Sequence, residues 1–340
     1  MANRSTNTGK GLNARIDGRL LSYARNTFVR GGGARDYPIP FSATGGTKSG
    51  PTGGYIFHSF TTPGPQPFTT NAPIPGARFI LVAGGGSGAG GYGGGGGGGG
   101  VVYSNGTYTI ESGDWIVEVG AGGPAPAASY TNGSKGSNSN FYKPGSVYPS
   151  PTYLRAFGGG EGYAGSGSGP GGSSGGSGSV PAPAAEQPTA NPGVSGITNA
   201  GNVGGTAPRN APGYSHGGGG GAGGVGESTS SATTSGRGGV GLGPPTWSWL
   251  PTSFGTNGYF AGGGGGSGYS SSGTPGNGLG SPDGTGGRAY QSQATNGEPG
   301  DTNTGGGGGA ASTPIPGQPY NTSGGAGGPG VMIIAYPDSL

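Results

Sequence analysis

The chain of 340 residues has no cysteine and only two histidines, His58 and His216. Without cysteine it can form neither a disulfide framework nor a thiolate metal site. Two histidines so far apart in sequence do not suggest clustered imidazole ligands either. We therefore expect no metal site and no cofactor.

Charged residues make up 8% of the chain and hydrophobic residues 28%. So few apolar residues can build a conventional core in only one region. Low hydrophobicity is also typical of disorder, but disordered chains carry many charges and few aromatic rings. The 17 Tyr, 10 Phe and 3 Trp contradict disorder. No stretch approaches the roughly 20 apolar residues of a membrane span, so we expect no membrane contact.

Motifs for catalysis are also missing. The carboxylates are scattered, and none is paired with another in an apolar setting that would raise a pKa. A phosphate-binding loop needs Lys and Ser or Thr directly after its glycines, whereas Gly100 is followed by Val101 and Val102. The sequence therefore predicts that the chain is not an enzyme.

The net charge of +3 is unevenly distributed, because residues 1–50 carry eight basic side chains against Asp17 and Asp36. This pattern predicts a basic N-terminal arm that docks on a larger protein, with a solubilising arm as the alternative. Few aromatic residues are interleaved with these charges, so we expect no nucleic acid partner. The predicted docking residues are Arg4, Lys10, Arg15, Arg19, Arg25, Arg30 and Arg35.

Residues 1–54 form this arm and a linker in the predicted domain organisation. Apolar residues recur at three- and four-residue spacing over 12–28, which is typical of a short helix, although an extended strap is the alternative. Residues 31–54 are rich in Gly and Pro and are predicted to be a linker or a segment extended along a partner.

From Tyr55 onward, short β-branched and aromatic runs are bounded by Gly, Pro and Asn-Gly, as in β-strands. The predicted β-module covers 55–157 and is closed by 331–336. The two most hydrophobic runs, 78–83 and 331–336, are expected in one sheet. Asn105-Gly106 predicts a hairpin turn inside 101–110, because a type I′ turn needs two residues with positive φ.

Glycine supplies 94 residues, many of them in runs such as 93–100, 217–221, 262–266 and 305–309. The last three runs start 45 and 43 residues apart, which indicates quasi-repeats. Collagen is excluded because Gly-X-Y is not continuous, and silk because Gly-Ala alternation is missing.

The ordered form that remains is a bundle of polyproline II helices, which without side chains can approach closely and hydrogen-bond to several neighbours. The bundle and its turns are predicted over 158–330, with the run at 93–100 contributing as well. The predicted bundle-forming residues are Gly93, Gly96, Gly99, Gly217, Gly220, Gly262, Gly265, Gly305 and Gly308.

The predicted fold class is mainly β, with very little α-helix. An antiparallel β-sandwich-like module carries the bundle of polyproline II (polyglycine II) helices, and the N-terminal arm is extended or short-helical.

Residues 247–260, WSWLPTSFGTNGYF, form the most aromatic stretch between the glycine runs. One interpretation is a cap over the edge of the bundle. The other is an exposed tip whose rings contact a partner, since Trp and Tyr are frequent interface anchors. The candidate host-contact residues are Trp247, Trp249, Phe254, Tyr259 and Phe260.

Several blocks together resemble the glycine-rich domain of bacteriophage virion proteins, above all tail-fibre and structural proteins of phages that infect cyanobacteria. The blocks are FHSFTTPG, FILVAGGGSGAGGYGGGGGGGGVVY, YTIESGDWIVEVGAGG, NGSKGSNSNF, GGGEG and GGAGGPGVMIIAYP. A related glycine-rich architecture occurs in T-even-like phage fibre-tip adhesins and in anaplastic lymphoma kinase-type receptors. The resemblance covers about residues 55–336.

The resemblance implies a β-sandwich-like module with polyglycine II helices, a place on a virion assembled in the host cytoplasm, and trimerisation. By analogy with the adhesins, the turns around 181–200, 242–260 and 281–300 would be variable loops at the end of the bundle. The expected function is a fibre- or adhesin-type appendage that contacts a host glycan or protein. The alternative is a non-adhesive head, neck or tail decoration protein.

Overall fold

The computed structural model describes residues 40–340 except 92, 128–129, 166, 168, 179, 208–212, 231–233, 271–278, 290–294 and 313–321. The chain divides into two compact units, Met1–Phe41 and Ser42–Leu340. The predicted arm helix over 12–28 and the seven docking residues, Arg4 to Arg35, lie outside the described residues. Every strand given below belongs to the second unit.

The described part of the chain is almost entirely β. Its strands are β1 (Ala43–Thr44), β2 (Thr47–Thr52), β3 (Tyr55–Phe60), β4 (Gly64–Thr70), β5 (Ile74–Val82), β6 (Val101–Ile110), β7 (Gly113–Val119), β8 (Ser139–Tyr142), β9 (Tyr153–Ala156), β10 (Thr198–Ala200), β11 (Gly213–Tyr214), β12 (Tyr269–Ser270) and β13 (Val331–Pro337). The helical element among these residues is one 3-10 turn, Gln187–Thr189. The mainly β prediction is confirmed.

Two antiparallel sheets form the sandwich. The five-stranded sheet has the order β1-β4-β7-β8-β9, and the six-stranded sheet has the order β10-β6-β5-β13-β3-β2. Strand β13 pairs with β5, with Val331 opposite Val82, and on its other side with β3. The prediction that 78–83 and 331–336 lie in one sheet is confirmed, and the last strand closes the module.

The predicted hairpin at Asn105-Gly106 is wrong, since β6 is one continuous strand. Gly106 does have a positive φ of 104°. Its place is an irregularity opposite β5, where consecutive Ala77 and Arg78 pair with Tyr108 and Asn105. The extra residues of β6 form a β-bulge, which uses the same backbone freedom of glycine as a turn does.

Part of the predicted linker 31–54 is also strand, because β1 and β2 lie within it. Strand β2 is an exposed edge of the six-stranded sheet and carries Lys48 and Pro51. A charge and a proline on an edge strand oppose pairing with another chain. Residues 43–52 are extended, but they pair with β4 and β3 of the same chain, and contact with a partner stays a prediction.

Aromatic side chains fill the space between the two sheets. Phe68 of β4 lies 6.2 Å from Phe60 of β3 and 6.4 Å from Phe141 of β8, measured between ring centroids. Phe79 of β5 likewise meets Phe141 at 6.4 Å. All four rings are 0% exposed, so they form a conventional apolar core between the two sheets.

His58 lies in this core and has a hydrogen-bond partner at each ring nitrogen. Its Nδ1 is 2.7 Å from the carbonyl of Gly45, to which it must donate, and its Nε2 is 3.0 Å from Tyr336 Oη. Burial lowers its pKa below the ordinary 6.5, with the Gly45 hydrogen bond raising it and Lys48 lowering it. The neutral ring is therefore the form that the fold accommodates.

We expect the free energy of unfolding to fall as the pH drops below 6.5, the ordinary pKa of histidine. There the unfolded chain takes up a proton that folded His58 binds only at lower pH, so the loss is complete once the folded ring is protonated. Urea denaturation between about pH 8 and pH 5 measures how the free energy of unfolding changes with pH. In the variant His58→Gln the free energy of unfolding should change less with pH. An unchanged pH dependence would contradict the role of His58.

Glycine-rich segments, called rods below, continue directly from the strands. One rod, 83–91, follows β5, and the next, 93–100, leads into β6. Further rods follow β7 at 120–127, precede β8 at 130–138, follow β9 at 157–165 and precede β13 at 322–330. Another rod, 201–207, follows β10, so the sandwich and the bundle share seven chain junctions in the described residues.

The rod 93–100 shows the three-residue repeat of a polyproline II helix. Its successive amides donate to three different neighbours in turn, so that every third amide donates to the same neighbour. The amides of Gly94, Gly97 and Gly100 donate to the carbonyls of residues 163, 160 and 157. Those of Gly95 and Gly98 donate to the carbonyls of 217 and 220. Those of Gly96 and Gly99 donate to the carbonyls of 308 and 305.

Three more segments donate hydrogen bonds to the carbonyls of the same rod. They are 83–89, 173–176 and 264–267. The rod thus has six hydrogen-bonded neighbours, three that accept from it and three that donate to it, as in a hexagonal lattice. The rods 84–90, 217–222, 261–267 and 305–312 also have six hydrogen-bonded neighbouring segments each.

Glycine makes these contacts possible because the backbones approach too closely for a side chain. A Cβ built on any of the residues 94–99 would lie 1.9–2.3 Å from a backbone carbonyl oxygen. These obstacles are backbone atoms and cannot rotate away. The lattice therefore tolerates only glycine at such positions.

Candidate functional site

The nine glycines singled out in the sequence all lie in rods. Gly93, Gly96 and Gly99 belong to the central rod 93–100. Gly217 and Gly220, Gly262 and Gly265, and Gly305 and Gly308 belong to three of the segments that bond to it. These glycines are structural, and they present no side chain to a ligand.

Two of the three predicted tip loops lie against the sandwich instead of at the far end of the bundle. In the segment 181–200, β10 pairs with β6 at the edge of the six-stranded sheet. The segment 242–260 packs on the same sheet. The third loop, 281–300, is described only outside 290–294. The analogy with adhesin loops is wrong for the first two, because 181–200 is bonded to the sheets through β10 and Asn191 and 242–260 packs on apolar surface of the six-stranded sheet.

The aromatic segment 247–260 covers the outer face of the six-stranded sheet, and the same buried cluster includes Ala222 and Ala261 of two rods. Trp247 lies 5.5 Å from Tyr103 and 5.9 Å from Phe260, in both cases with rings edge to face. Its Nε1 donates to the carbonyl of Gly258 at 3.1 Å. Trp247 and Phe260 are 0% exposed, so neither ring offers surface to a partner in this fold.

The other three candidates are half-buried. Trp249 donates to Asn105 Oδ1 at 2.8 Å, and Phe254 lies 5.6 Å from Phe57. Tyr259 Oη is 3.5 Å from the carbonyl of Pro244. Each anchors the covering segment and keeps part of its ring at the surface, so these three remain the candidates for contact in this segment.

The outer face of the five-stranded sheet has a different character, because its residues remain exposed or half-exposed except Asn140, which is 6% exposed. Pro67, Ile116, Tyr142 and Tyr153 stand opposite one another on β4, β7, β8 and β9. Opposite residues on neighbouring strands share one face of the sheet. They form an apolar row across four strands. Tyr148, on the β8–β9 connection, extends it, with its ring 5.6 Å from that of Tyr153.

A polar row runs beside the apolar row. It is formed by Glu118 on β7, Asn140 on β8 and Arg155 on β9. Asn140 Nδ2 donates to Glu118 Oε2 at 2.8 Å and Arg155 Nε donates to Asn140 Oδ1 at 2.9 Å. The Arg155 guanidinium also lies 4.4 Å from the ring centre of Tyr148. Burial, and then Glu118, raises the pKa of Tyr142. We call the two rows together the platform.

Asn191 completes the edge of this sheet. Its Oδ1 accepts from the amide of Arg155 at 2.8 Å and its Nδ2 donates to the Arg155 carbonyl at 3.0 Å. One side chain thereby replaces the next strand beside β9. Its backbone has a φ of 52°, a conformation that asparagine adopts more readily than most residues.

We expect Asn191→Ala to lower the free energy of unfolding by about 2–4 kcal/mol, since the Arg155 amide loses its partner, the Arg155 carbonyl keeps only Gln187 Nε2 at 3.4 Å, and alanine is strained at positive φ. The matched variant Asn191→Gly also lacks the amide but tolerates this φ, so it should lose about 1 kcal/mol less. Chemical denaturation measures both. Equal stability of the alanine variant and the parent would contradict the edge-covering role.

A cleft of about 260 Å³ opens beside the β6–β7 turn. It is lined by Thr107, Tyr108, Thr109, Glu111, Trp115, Pro151, Thr152 and Ser195. Glu111 is ion-paired with Lys143 at 2.8 Å, and Tyr108 donates its hydroxyl proton to the Pro151 carbonyl. Burial, and then Glu111, raises the pKa of Tyr108, so this phenol is neutral at physiological pH and acts as a hydrogen-bonding group.

Within the described residues, no group of three or more His, Cys, Asp or Glu side chains could hold a metal ion. Among the same residues, no helix has the length and hydrophobicity needed to cross a membrane.

Sequence reasoning missed the platform. The signal was present, because Asn140 and Tyr142, and likewise Tyr153 and Arg155, alternate with buried Phe141 and Leu154 in the period of a strand. Alternation shows which residues share a face of one strand. It does not show which strands are neighbours, so the two rows emerge only from the register.

A comparison with curated proteins gave no match. The family model described as a glycine-rich domain matches residues 61–337. This stretch contains β4–β13 and the rods, and is most of the chain. The protein therefore belongs to the glycine-rich domain family.

Proposed function

We propose that the protein is a structural component of a bacteriophage virion, a fibre- or adhesin-type appendage. In this proposal the basic N-terminal arm docks on a larger virion protein and the glycine-rich body projects from the particle towards the host surface. The protein acts as a homo-oligomer, for which a trimer is the first hypothesis, and it is not an enzyme. It is assembled in the host cytoplasm.

The observation that carries the proposal is the bundle in which a central rod has six hydrogen-bonded neighbours. Such a body is held together by backbone hydrogen bonds in every lateral direction, so it resists bending more than a body tied by flexible side chains. A rigid spacer is what an appendage needs. The resemblance to phage tail-fibre and structural proteins supplies the virion context.

The test is to locate the chain on the particle and to measure its contact with the host. An electron-microscopy map of the phage whose genome encodes the chain should contain this sandwich and bundle at an external site. Binding of the fluorescently labelled protein to host cells, measured with and without competing phage, separates an adhesin from a decoration protein. Presence on the particle without host binding favours the decoration protein, and absence from the particle rejects both.

A further inference from the structure

We infer that one flank of the bundle binds a second copy of the same chain in a two-fold contact centred on Val225. The flank consists of the rods 201–207, 223–228 and 236–242. As a contact between appendage bodies this inference rests on the proposed function, whereas self-association of the purified protein does not depend on it. A two-fold contact gives a dimer, so the oligomeric state also decides between this inference and the trimer taken above as the first hypothesis.

An apolar side chain stands at the surface of each rod of this flank. Val225 is 62% exposed and Val203 37%, and Val240 is half-buried. The Gly226 amide donates to the Val203 carbonyl at 2.9 Å. The Gly223 amide, on the same rod, donates to the Val240 carbonyl at 3.0 Å. The three valines therefore stand on neighbouring rods and form an apolar stripe across the flank.

The opposite flank, separated from 223–228 by three rods, is built differently. The exposed and half-exposed side chains of its rods 120–127 and 322–330 are alanine, proline and serine. Pro124 and Pro329 have no amide hydrogen and cannot donate to a further rod. The rods of the first flank contain no proline. Proline blunts an exposed strand edge against pairing with another chain, so by the same physics the opposite flank is closed to a further rod and the first flank is open.

The rod 223–228 keeps unused backbone groups at its surface. It bonds to three neighbouring rods, whereas the central rod 93–100 bonds to six. Among the described residues, the amides of Gly224, Val225 and Ser228 donate no hydrogen bond. The rods of this bundle bind one another through amides and carbonyls, so these groups fit a further glycine-rich rod. A second copy of the chain supplies one.

Val225 and the glycine beside it form a knob and a hollow on the same rod. Gly223 is exposed, and a Cβ built on it would point inwards, 2.2 Å from the carbonyl oxygen of Gly241. Only backbone therefore lies at the surface next to the valine. In a two-fold contact a patch faces its own copy, so each Val225 can fill the hollow over Gly223 of the other molecule. The shape of the flank is self-complementary.

The charges of the flank are self-complementary as well. Glu227 and Arg237 are the charged residues of the three rods, and both are exposed. Glu227 Oε2 accepts from the Arg237 amide at 2.9 Å. The Arg237 guanidinium makes no ion pair among the described residues. Across a two-fold axis Glu227 of each copy can pair with Arg237 of the other, at the rim where interfaces carry their charges. The zero net charge of these rods disfavours nucleic acid as the occupant.

The size of the flank predicts a weak dimer. A rod of seven residues is roughly 20 Å long, and three hydrogen-bonded backbones span about 10–15 Å. Two such faces bury less than about 1,200 Å² in total, which is the range of weak and transient complexes. We therefore expect a Kd between about 1 and 100 µM.

Sedimentation velocity of the full chain over about 1–300 µM measures this equilibrium. Val225→Asp should weaken dimerisation at least about 30-fold, because the two-fold contact buries the new carboxylate twice. Val147→Asp is the matched control, since Val147 is a valine of the β8–β9 connection, 78% exposed, and it should dimerise as the parent does. Melting curves show that each variant is folded. A parent that stays monomeric or forms trimers, or a Val225→Asp variant that dimerises normally, overturns the inference.

Charge reversal tests the two-fold arrangement itself. Glu227→Arg and Arg237→Glu should each weaken self-association, because each variant places like charges opposite one another. An equimolar mixture of the two variants should associate again, since both pairs across the axis are then of opposite sign. A mixture that associates no better than either variant alone contradicts the pairing of Glu227 with Arg237.

The outcomes distinguish this inference from the proposed function. If the parent dimerises through Val225 but the chain is absent from the virion, the inference stands and the proposed function fails. If the chain is on the virion but the purified parent is monomeric, the proposed function stands and the inference fails. Loss of host-cell binding or of virion incorporation in Val225→Asp, with a monomeric parent, would mean that the flank binds another protein and also overturns the inference.

Discussion

Gly96→Ala is expected to lower the free energy of unfolding by at least about 4 kcal/mol, more than overpacking costs in most cores. The new methyl carbon would lie 2.1 Å from the carbonyl oxygen of Gly86 and 2.8 Å from the carbonyl carbon of Ser87. Relief requires the two rods to separate. That movement would break their shared hydrogen bonds, including the bond from the Gly86 amide to Gly97, which is 2.9 Å long.

Gly224→Ala is the matched control for this substitution. There the methyl group would meet the end of the Val240 side chain at 2.8 Å, and its next contacts are at 3.6 and 3.9 Å. We expect a loss below about 1 kcal/mol. Thermal or urea unfolding of the parent and both variants measures the contrast. Equal stability of the two variants would show that the backbone lattice does not hold the bundle together.

The second large effect is expected at Trp247. Trp247→Ala should cost about 3–5 kcal/mol, because it removes a fully buried indole and leaves a cavity between the covering segment and the six-stranded sheet. Its indole also donates a hydrogen bond to Gly258. The residue was a candidate for host contact, and its burial predicts that the variant loses stability whether or not a partner is present.

Trp249→Ala provides the comparison on the same segment. Trp249 is half-buried and its indole bonds to Asn105, so about 1 kcal/mol should be lost. Denaturation and host-cell binding are measured on both variants. A Trp247 variant that melts like the parent but no longer binds cells would mean that the indole acts at the surface, contrary to this structure.

The sequence predicts the sandwich well because its strands are marked by local chemistry. β-Branched and aromatic runs between Gly and Pro locate β5 and β13, and their high hydrophobicity predicts burial on both faces, which the pairing of β13 with β5 and β3 explains. The Asn105-Gly106 signal shows the limit. It predicts positive φ at glycine correctly, but a bulge and a turn require the same conformation.

The candidate sites were less predictable, for two physical reasons. Aromatic composition indicates that 247–260 must contact something, but only the fold shows that the contact is the sheet on which Trp247 is buried. The platform joins residues from β4 to β9, and its order depends on strand neighbours far apart in sequence. Rods 120–127 and 130–138 were assigned to the β-module because their Pro, Ala, Ser and Asn residues conceal the three-residue hydrogen-bond repeat.

The uniformity of the rods has a consequence for alignment. If the run 93–100 slid by three residues along its neighbours, most of its glycine amides would meet equivalent carbonyls, so the run itself carries little information about its axial position. That information comes from the two ends: Ala83 begins where β5 stops, and Gly100 is followed by β6, with Ala83 bonded to Gly100 at 3.1 Å. The strands of the sandwich thus fix the axial position of each rod relative to its neighbours. An insertion of three residues in a run leaves each later amide facing the same neighbouring rod. An insertion of one or two residues rotates every later amide towards a different neighbour.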